Sequence, residues 1–302
     1  MTTSVFIACN NLFFWFKNQA YKRKAKKHFG LDTTTQTYIG TGLSANLPPQ
    51  YPRIVFFISG VDSFASDFED FIETLPADIP TVCPRAIGWD FENSGFLKTT
   101  SWNEVFVYYE DVYKLVSEIA VKVDIVAHSN GCNIAALLAD RHPVNNLILL
   151  APNFSNPPQF KFVKAIFLSS FGKALEFLFP MLPFASENAL HWRNTPRKPS
   201  KYINRGTVPF RSVVQQWRLQ DAVSRTGLWR ANHIHFAQDE RDGILDTPQK
   251  QIDIIKLHIE HTLQTHVCPK LTHDMIKMGT INSWLRSILV EMDWVQTPPP
   301  PL

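Results

Sequence analysis

Residues 123–139, VDIVAHSNGCNIAALLA, constrain the fold of this chain more than any other stretch. A β-type apolar run stops at a serine set between small residues, and a helical pattern rich in small residues begins at once. Two periodicities joined this tightly require a strand–turn–helix elbow with Ser129 at its tip. Such a turn forces an unfavourable backbone conformation on the serine, so the positions two residues to either side must be small. Ala127 and Gly131 meet that need. The geometry lifts the hydroxyl clear of a sheet and aims the first amides of the helix at the same point, where developing negative charge can be held. An ordinary buried junction that happens to contain serine has the same short pattern. The rest of the chain has to separate the two.

With 302 residues and 45% hydrophobic side chains, one large α/β domain or two small ones can be built. A formal charge of +3, with no basic stripe interleaved with aromatics, argues against a nucleic-acid partner. The cysteines (Cys9, Cys83, Cys132, Cys268) form no CxxC pair and no zinc spacing, so no metal site is expected. Each sits in or beside an apolar run, which points to buried thiols, a reducing compartment and a cytoplasmic location. Near the N-terminus, residues 5–16 are apolar but broken by Asn10 and Asn11, and Lys17, Lys22, Arg23, Lys24, Lys26 and Lys27 follow. A secretory signal has the opposite order, and a membrane span needs about 20 apolar residues. Two readings stand: an amphipathic helix packed on the domain and ended by Gly30, or an interfacial anchor through residues 5–27. In the second, Phe13, Phe14, Trp15 and Phe16 enter lipid and the lysines meet anionic headgroups.

Beyond Gly30 a threonine-rich stretch and a proline-containing loop lead to Ile54-Val55-Phe56-Phe57-Ile58, a fully buried strand entering a Ser59-Gly60 loop. Phe68, Phe71, Ile72 and Leu75 recur at helical spacing, and Thr81 to Pro84 reads as a short strand. A helix over residues 105–121 leads into the Ser129 strand, and residues 146–152 form another buried strand. This alternation means βαβ units and a mostly parallel sheet with helices on both faces. It stops over residues 153–205, a Phe- and Pro-rich insertion with one apolar helix expected over 160–179. Lys164, Lys173 and Glu176 rule that helix out as a simple membrane span. A helix over 208–223, a strand over 231–237, a helix over 247–262, a short strand near 265–267 and a final helix over 280–292 follow. The tail 294–302 is proline-rich and expected to be disordered. The expected division is therefore an N-terminal helix (1–30), an α/β core (31–152 and 206–293), an insertion (153–205) and the tail.

A serine hydroxyl is a weak nucleophile and needs a base, itself oriented by an acid. Parallel sheets carry functional loops at the carboxyl ends of their strands. After the strand over 231–237 two aspartates compete. Asp239 is closer to the strand, while Asp242 precedes Gly243, Ile244 and Leu245 and suits a tight turn returning to the core; Asp242 is favoured. Either could instead cap the next helix. His273 lies in the loop after the last strand, downstream of the acid loop. His128, beside the serine, leaves the elbow in another direction and reads as a packing residue.

The order Ser129, Asp242, His273 resembles the α/β-hydrolase fold family. Ala127-His128-Ser129-Asn130-Gly131 is similar to its G-x-S-x-G elbow with Ala in the first place. Asp242-Gly243-Ile244-Leu245 resembles the family's acid turn and His273-Asp274-Met275 its histidine loop. The similarity runs over about residues 53–289, with 153–205 where the family inserts a cap. The resemblance implies Ser129 as nucleophile, His273 as general base and acid, and Asp242 as orienting carboxylate. It also implies an oxyanion hole from the Asn130 amide and one amide of the Ser59–Ser63 loop. Val61 is the choice there, although the family often has His-Gly where this chain has Ser59-Gly60.

No organic cofactor or metal is implied. The expected activity is hydrolysis of a carboxylic ester through an acyl-enzyme. The abundance of Phe in the insertion, with the N-terminal segment, points to an acyl-ester or lipid-like small-molecule substrate. A thioesterase, acyltransferase, amidase or carbon–carbon hydrolase uses the same constellation, and a catalytically silent binding module shares the fold. The oligomeric state and the natural ester are not legible.

Overall fold

The computed structural model describes residues 37–39, 51–60, 68–72, 75, 80–84, 100–178, 183–185, 207–240, 242, 245–260, 263–268, 284, 285 and 288. The expectations for residues 5–27 and for the tail 294–302 lie outside the described residues. In chain order the elements are β1 (Thr37–Ile39), β2 (Tyr51–Ile58), α1 (Glu69–Ile72), β3 (Thr81–Pro84), α2 (Trp102–Ile119), β4 (Ala120–His128), α3 (Gly131–Arg141) and β5 (Val144–Leu150). There follow α4 (Gln159–Leu168), α5 (Ser170–Leu178), β6 (Pro183–Ala185), β7 (Thr207–Pro209), α6 (Phe210–Val223), β8 (Ala231–Asp239), α7 (Pro248–Lys256) and β9 (Leu263–Cys268).

Seven of the described strands form a sheet in the order β1-β3-β2-β4-β5-β8-β9. Within it β1 pairs antiparallel with β3 and every other pair is parallel; β6 and β7 form a separate antiparallel pair. The reason lies in the strands themselves. Ile54, Val55, Phe56, Phe57 and Ile58 are all fully buried, as are Leu147, Ile148, Leu149 and Leu150. Only a sheet covered on both faces accommodates such runs. Successive side chains go to opposite faces. Ile54, Phe56, Ile58, Ile125, Ala127, Leu147 and Leu149 join the layer with α2 and α3. Val55, Phe57, Val126, Ile148, Leu150 and Ala237 join Phe68, Phe71, Leu285 and Ile288 on the other side. Ser101 starts α2 with a capping box: its hydroxyl accepts the Glu104 N–H, and the Glu104 carboxylate accepts the Ser101 N–H.

The insertion differs from expectation in its helices. The single helix anticipated over 160–179 is two, α4 and α5, broken at Ser169. Ser169 is extended (ψ 174), its hydroxyl donates to the Ile166 carbonyl, and its own carbonyl accepts the Lys173 N–H. A serine able to satisfy a helix end competes with helix continuation. The helix anticipated from 208 begins at Phe210, because Val208 precedes a proline and is held extended in β7, paired with β6. The helix anticipated to reach 262 ends at Lys256, where tertiary packing takes over: His258 stacks on Trp229 at 5.1 Å and its carbonyl accepts the Trp229 N–H. β1 is a short strand that the sequence pattern does not announce.

α4 and α5 rest on α6. Phe167 packs edge-on against Phe210 at 4.6 Å and lies over Trp217 at 5.7 Å. Glu176 of α5 is buried between Arg211 and Arg218 of α6, with carboxylate–guanidinium distances of 3.2 and 2.6 Å. Gln215 donates to the same carboxylate and accepts the Trp102 N–H, tying α5 and α6 to the start of α2.

Candidate active site

The strand register sets the site. Ile58 pairs with Ala127, His128 with Leu150 and Leu150 with Ala237. Carried one or two residues further, the same register places Gly60, Ser129, Ala151 and Gln238 in one row along the carboxyl edge of the sheet. Asp239, paired with Cys268, is one step beyond.

Ser129 joins β4 to α3 with φ at 52°, in the left-handed region. A β-carbon there costs about 1–3 kcal/mol, so the surroundings must over-determine the conformation. They do. The Ser129 N–H donates to the Leu150 carbonyl at 2.9 Å, and the Ser129 carbonyl accepts the N–H groups of Cys132 (3.1 Å) and Asn153 (3.2 Å). Ala151, at the end of β5, is also left-handed (φ 44°) and donates its N–H to the Ala237 carbonyl at 2.7 Å.

Two glycines let three backbones meet at this point. A β-carbon on Gly131 would lie 2.5 Å from the Ile58 carbonyl oxygen and 2.6 Å from that of Ser59. One on Gly60 would lie 2.9 Å from Ser129 Cβ and 3.4 Å from its Oγ. The loop leaving β2 therefore runs directly beside the serine because Gly60 has no side chain. Asn130 opens α3 and is buried. Cys132 packs inside the turn with its thiol toward the Ala127 carbonyl at 3.3 Å, and burial pushes that thiol well up, so it stays protonated and inert.

Of the residues anticipated from the sequence, Ser129 and Asn130 stand together at this edge. His128 is buried as the last residue of β4. Asp239 ends β8 and is buried, whereas Asp242 is half-buried and accepts the Leu245 N–H at 3.2 Å, closing a turn. Val61 and His273 lie outside the described residues. Parallel β9 delivers the chain to the same edge at Cys268, five residues before His273. Sequence reasoning missed the polar side chains beneath the serine: Asn133, Asn153 and Gln220 are all buried there. Asn133, a lone amide in the first turn of an apolar helix, was a signal open to reading.

Among the described residues no group of His, Cys, Asp and Glu is arranged to hold a metal ion, and no helix is long and apolar enough to cross a membrane. Cys83 and Cys132 are both buried.

Strand order, parallel register and the left-handed serine at the carboxyl edge together define the class: the chain has the α/β-hydrolase fold. Among solved structures it is similar to the monoacylglycerol lipase of Paleococcus ferrophilus, with a TM-score of 0.62, 13% identity and coverage of 85% of this chain and 97% of that one. It is similar to a highly thermostable carboxyl esterase from Bacillus coagulans, solved with glycerol, at TM-score 0.62, 13% identity and coverage of 85% and 92%. A soluble variant of monoglyceride lipase from Saccharomyces cerevisiae, in complex with a substrate analogue, aligns at TM-score 0.58, 12% identity and coverage of 87% and 92%. At such identities the likeness is one of fold. No family model and no curated protein matches the sequence.

Proposed function

We propose that this protein is a serine hydrolase that cleaves a carboxylic ester through an acyl-enzyme on Ser129. The observation that carries the reading is the backbone of Ser129, held at φ 52° on the carboxyl edge of the sheet with the Gly60 loop against it. Strain of this kind persists where a structure must present one side chain. The fold shared with lipases and esterases supports the same reading.

In the proposed mechanism Ser129 Oγ attacks the ester carbonyl carbon while His273 takes the hydroxyl proton. The carbonyl π-pair moves to oxygen, and the oxyanion is held by the N–H groups of Asn130 and Val61. Collapse re-forms the carbonyl and expels the alcohol with the proton from His273. Water, deprotonated by His273, repeats the addition and releases the carboxylic acid and Ser129. Asp242, its carboxylate fixed by the Leu245 N–H, orients His273; Asp239 is the competing acid. The insertion over 153–205 acts as a cap. Phe162, Phe171, Phe177 and Leu178 are exposed on its helices, in keeping with an acyl-ester or lipid-like substrate, and residues 5–27 supply a peripheral membrane contact.

The test is labelling by a fluorophosphonate probe. Wild-type protein should be labelled and Ser129→Ala should not; folded wild type that resists the probe would end the hydrolase reading. p-Nitrophenyl esters of increasing length then address the substrate, and a preference for the shortest acyl chain would remove the lipid-like one. Asp242→Asn should lower turnover by several orders of magnitude while Asp239→Asn has a smaller effect, and the reverse order would exchange the two acids.

A further inference from the structure

The peptide joining Ser129 to Asn130 is held from behind by buried amides. Its carbonyl end accepts the N–H of Asn153 at 3.2 Å. A trans peptide is planar with C=O and N–H pointing in opposite directions, so whatever holds the Ser129 carbonyl also aims the Asn130 N–H. Asn153 is itself pinned. Its carbonyl accepts Nδ2 of Asn133 at 2.8 Å and Nε2 of Gln220 at 3.0 Å, and Gln220 Nε2 also donates to Asn153 Oδ1 at 2.7 Å. Asn133 gives its second N–H to Asn130 Oδ1 at 2.9 Å. Gln220 Oε1 accepts Lys164 Nζ of α4 at 3.0 Å, and that lysine pairs with Asp221 at 3.1 Å.

The amide orientations are forced. Turning Asn133 over would set its oxygen against Asn130 Oδ1 and the Asn153 carbonyl. Turning Gln220 over would set oxygen against the Asn153 oxygens and nitrogen against Lys164. Asn130, Asn133 and Gln220 are 1%, 0% and 2% exposed. Burying these amides is costly, and Asn130 Nδ2 and Asn133 Oδ1 have no hydrogen-bond partner among the described residues; neither helix formation nor core packing requires polar groups at these positions.

We propose that Gln220 is a positioning residue for Ser129. By holding the carbonyl and side chain of Asn153 it fixes that residue, whose N–H, in the preceding peptide, bonds the Ser129 carbonyl; so it sets the plane of the Ser129–Asn130 peptide and aims the oxyanion-binding N–H. Through Lys164 it makes that aim depend on α4 staying docked against α6. This rests on the assignment of Ser129 as nucleophile and the Asn130 N–H as oxyanion donor. Gln220 touches no reacting atom, so its loss acts on the transition state and leaves ground-state binding of the acyl chain alone.

The experiment compares full-length wild type with Gln220→Leu, Gln220→Glu and Lys164→Met. Each is assayed for fluorophosphonate labelling rate, for kcat and KM on a p-nitrophenyl ester, and for Tm. Gln220→Glu keeps the acceptor for Lys164 but turns an oxygen instead of N–H toward Asn153. Both Gln220 variants should lose about 10- to 100-fold in kcat and labelling rate, with KM within about twofold, at temperatures well below their melting. Lys164→Met, on a half-buried side chain, should fold as wild type and lose about threefold in kcat with KM unchanged.

A folded Gln220 variant with wild-type kcat, or with KM rising as kcat falls, overturns the proposal. If neither Gln220 variant folds, an unchanged kcat in Lys164→Met overturns it. Absence of Ser129 labelling in wild type removes the hydrolase reading and this one together. Labelled wild type beside indistinguishable variants removes only this one.

Discussion

His235 ties the stability of the sheet to pH. It lies in β8 with Ile148 of β5 and Gln264 of β9 as its neighbours across the sheet, on the apolar face that carries Ile148 and Ala237. It is 4% exposed, and neither ring nitrogen has a hydrogen-bond partner among the described residues. Burial, and secondarily the charge of His233, lowers its pKa from 6.5 to about 4. Above pH 6.5 both folded and unfolded chains carry this histidine neutral. Between 6.5 and about 4 the unfolded chain binds a proton that the folded one refuses, so stability falls as pH falls.

Each pKa unit corresponds to about 1.4 kcal/mol, so the loss at this site should reach about 2 kcal/mol by pH 5 and about 3 kcal/mol by pH 4. His235→Leu removes the linkage and an unpaired buried imidazole, and should itself stabilise by about 1 kcal/mol at pH 7.5. The assay is urea unfolding followed by tryptophan fluorescence at pH 7.5 and 5.0. Wild type should lose about 2 kcal/mol more than His235→Leu over that interval. Parallel losses in the two proteins would refute the argument, because they would mean that His235 protonates in the folded state as readily as in the unfolded one.

Three further outcomes are expected. Ser129→Gly should abolish probe labelling yet melt higher than Ser129→Ala by the equivalent of about 1 kcal/mol, since only glycine relieves the left-handed backbone; equal Tm values would show that the serine is unstrained. Gly131→Ala should cost more than about 2 kcal/mol and eliminate labelling, because its new methyl meets the Ile58 and Ser59 carbonyls; a wild-type Tm would count against so tight a junction. Glu176→Leu leaves the Arg211 and Arg218 guanidinium groups facing each other, and should cost about 2–4 kcal/mol while opening the segment 153–205 to limited proteolysis. An unchanged cleavage pattern would show that the ion pairs do not hold α5 down.

Much of the architecture was legible because its signals are local. A strand buried on both faces must be apolar at every position, and residues 54–58 and 147–150 are. What escaped was governed by competition between elements. The break at Ser169 arose because a serine hydroxyl and carbonyl serve two helix ends at once. The end of α7 was set by the stacking of His258 on Trp229, a partner far away in sequence. The same division runs through the site. Ser129 announced itself through the small residues around it, since a left-handed serine cannot be built without them. Asn153 and Gln220 gave no comparable sign, because they are 67 residues apart and meet only once α6 lies against the end of β5.

The sequence by itself determined the parallel α/β sheet and the elbow that carries Ser129. Both follow from sterics and solvation acting over fewer than about ten residues, where period and side-chain size decide the outcome. Tertiary structure alone decided what stands around that serine. Strand register brought Gly60 against its β-carbon, and the N–H of Asn153, a residue held in turn by the buried amides of Asn133 and Gln220, took hold of its carbonyl. Those contacts depend on how strands and helices pack across the sheet, and no local pattern records that packing.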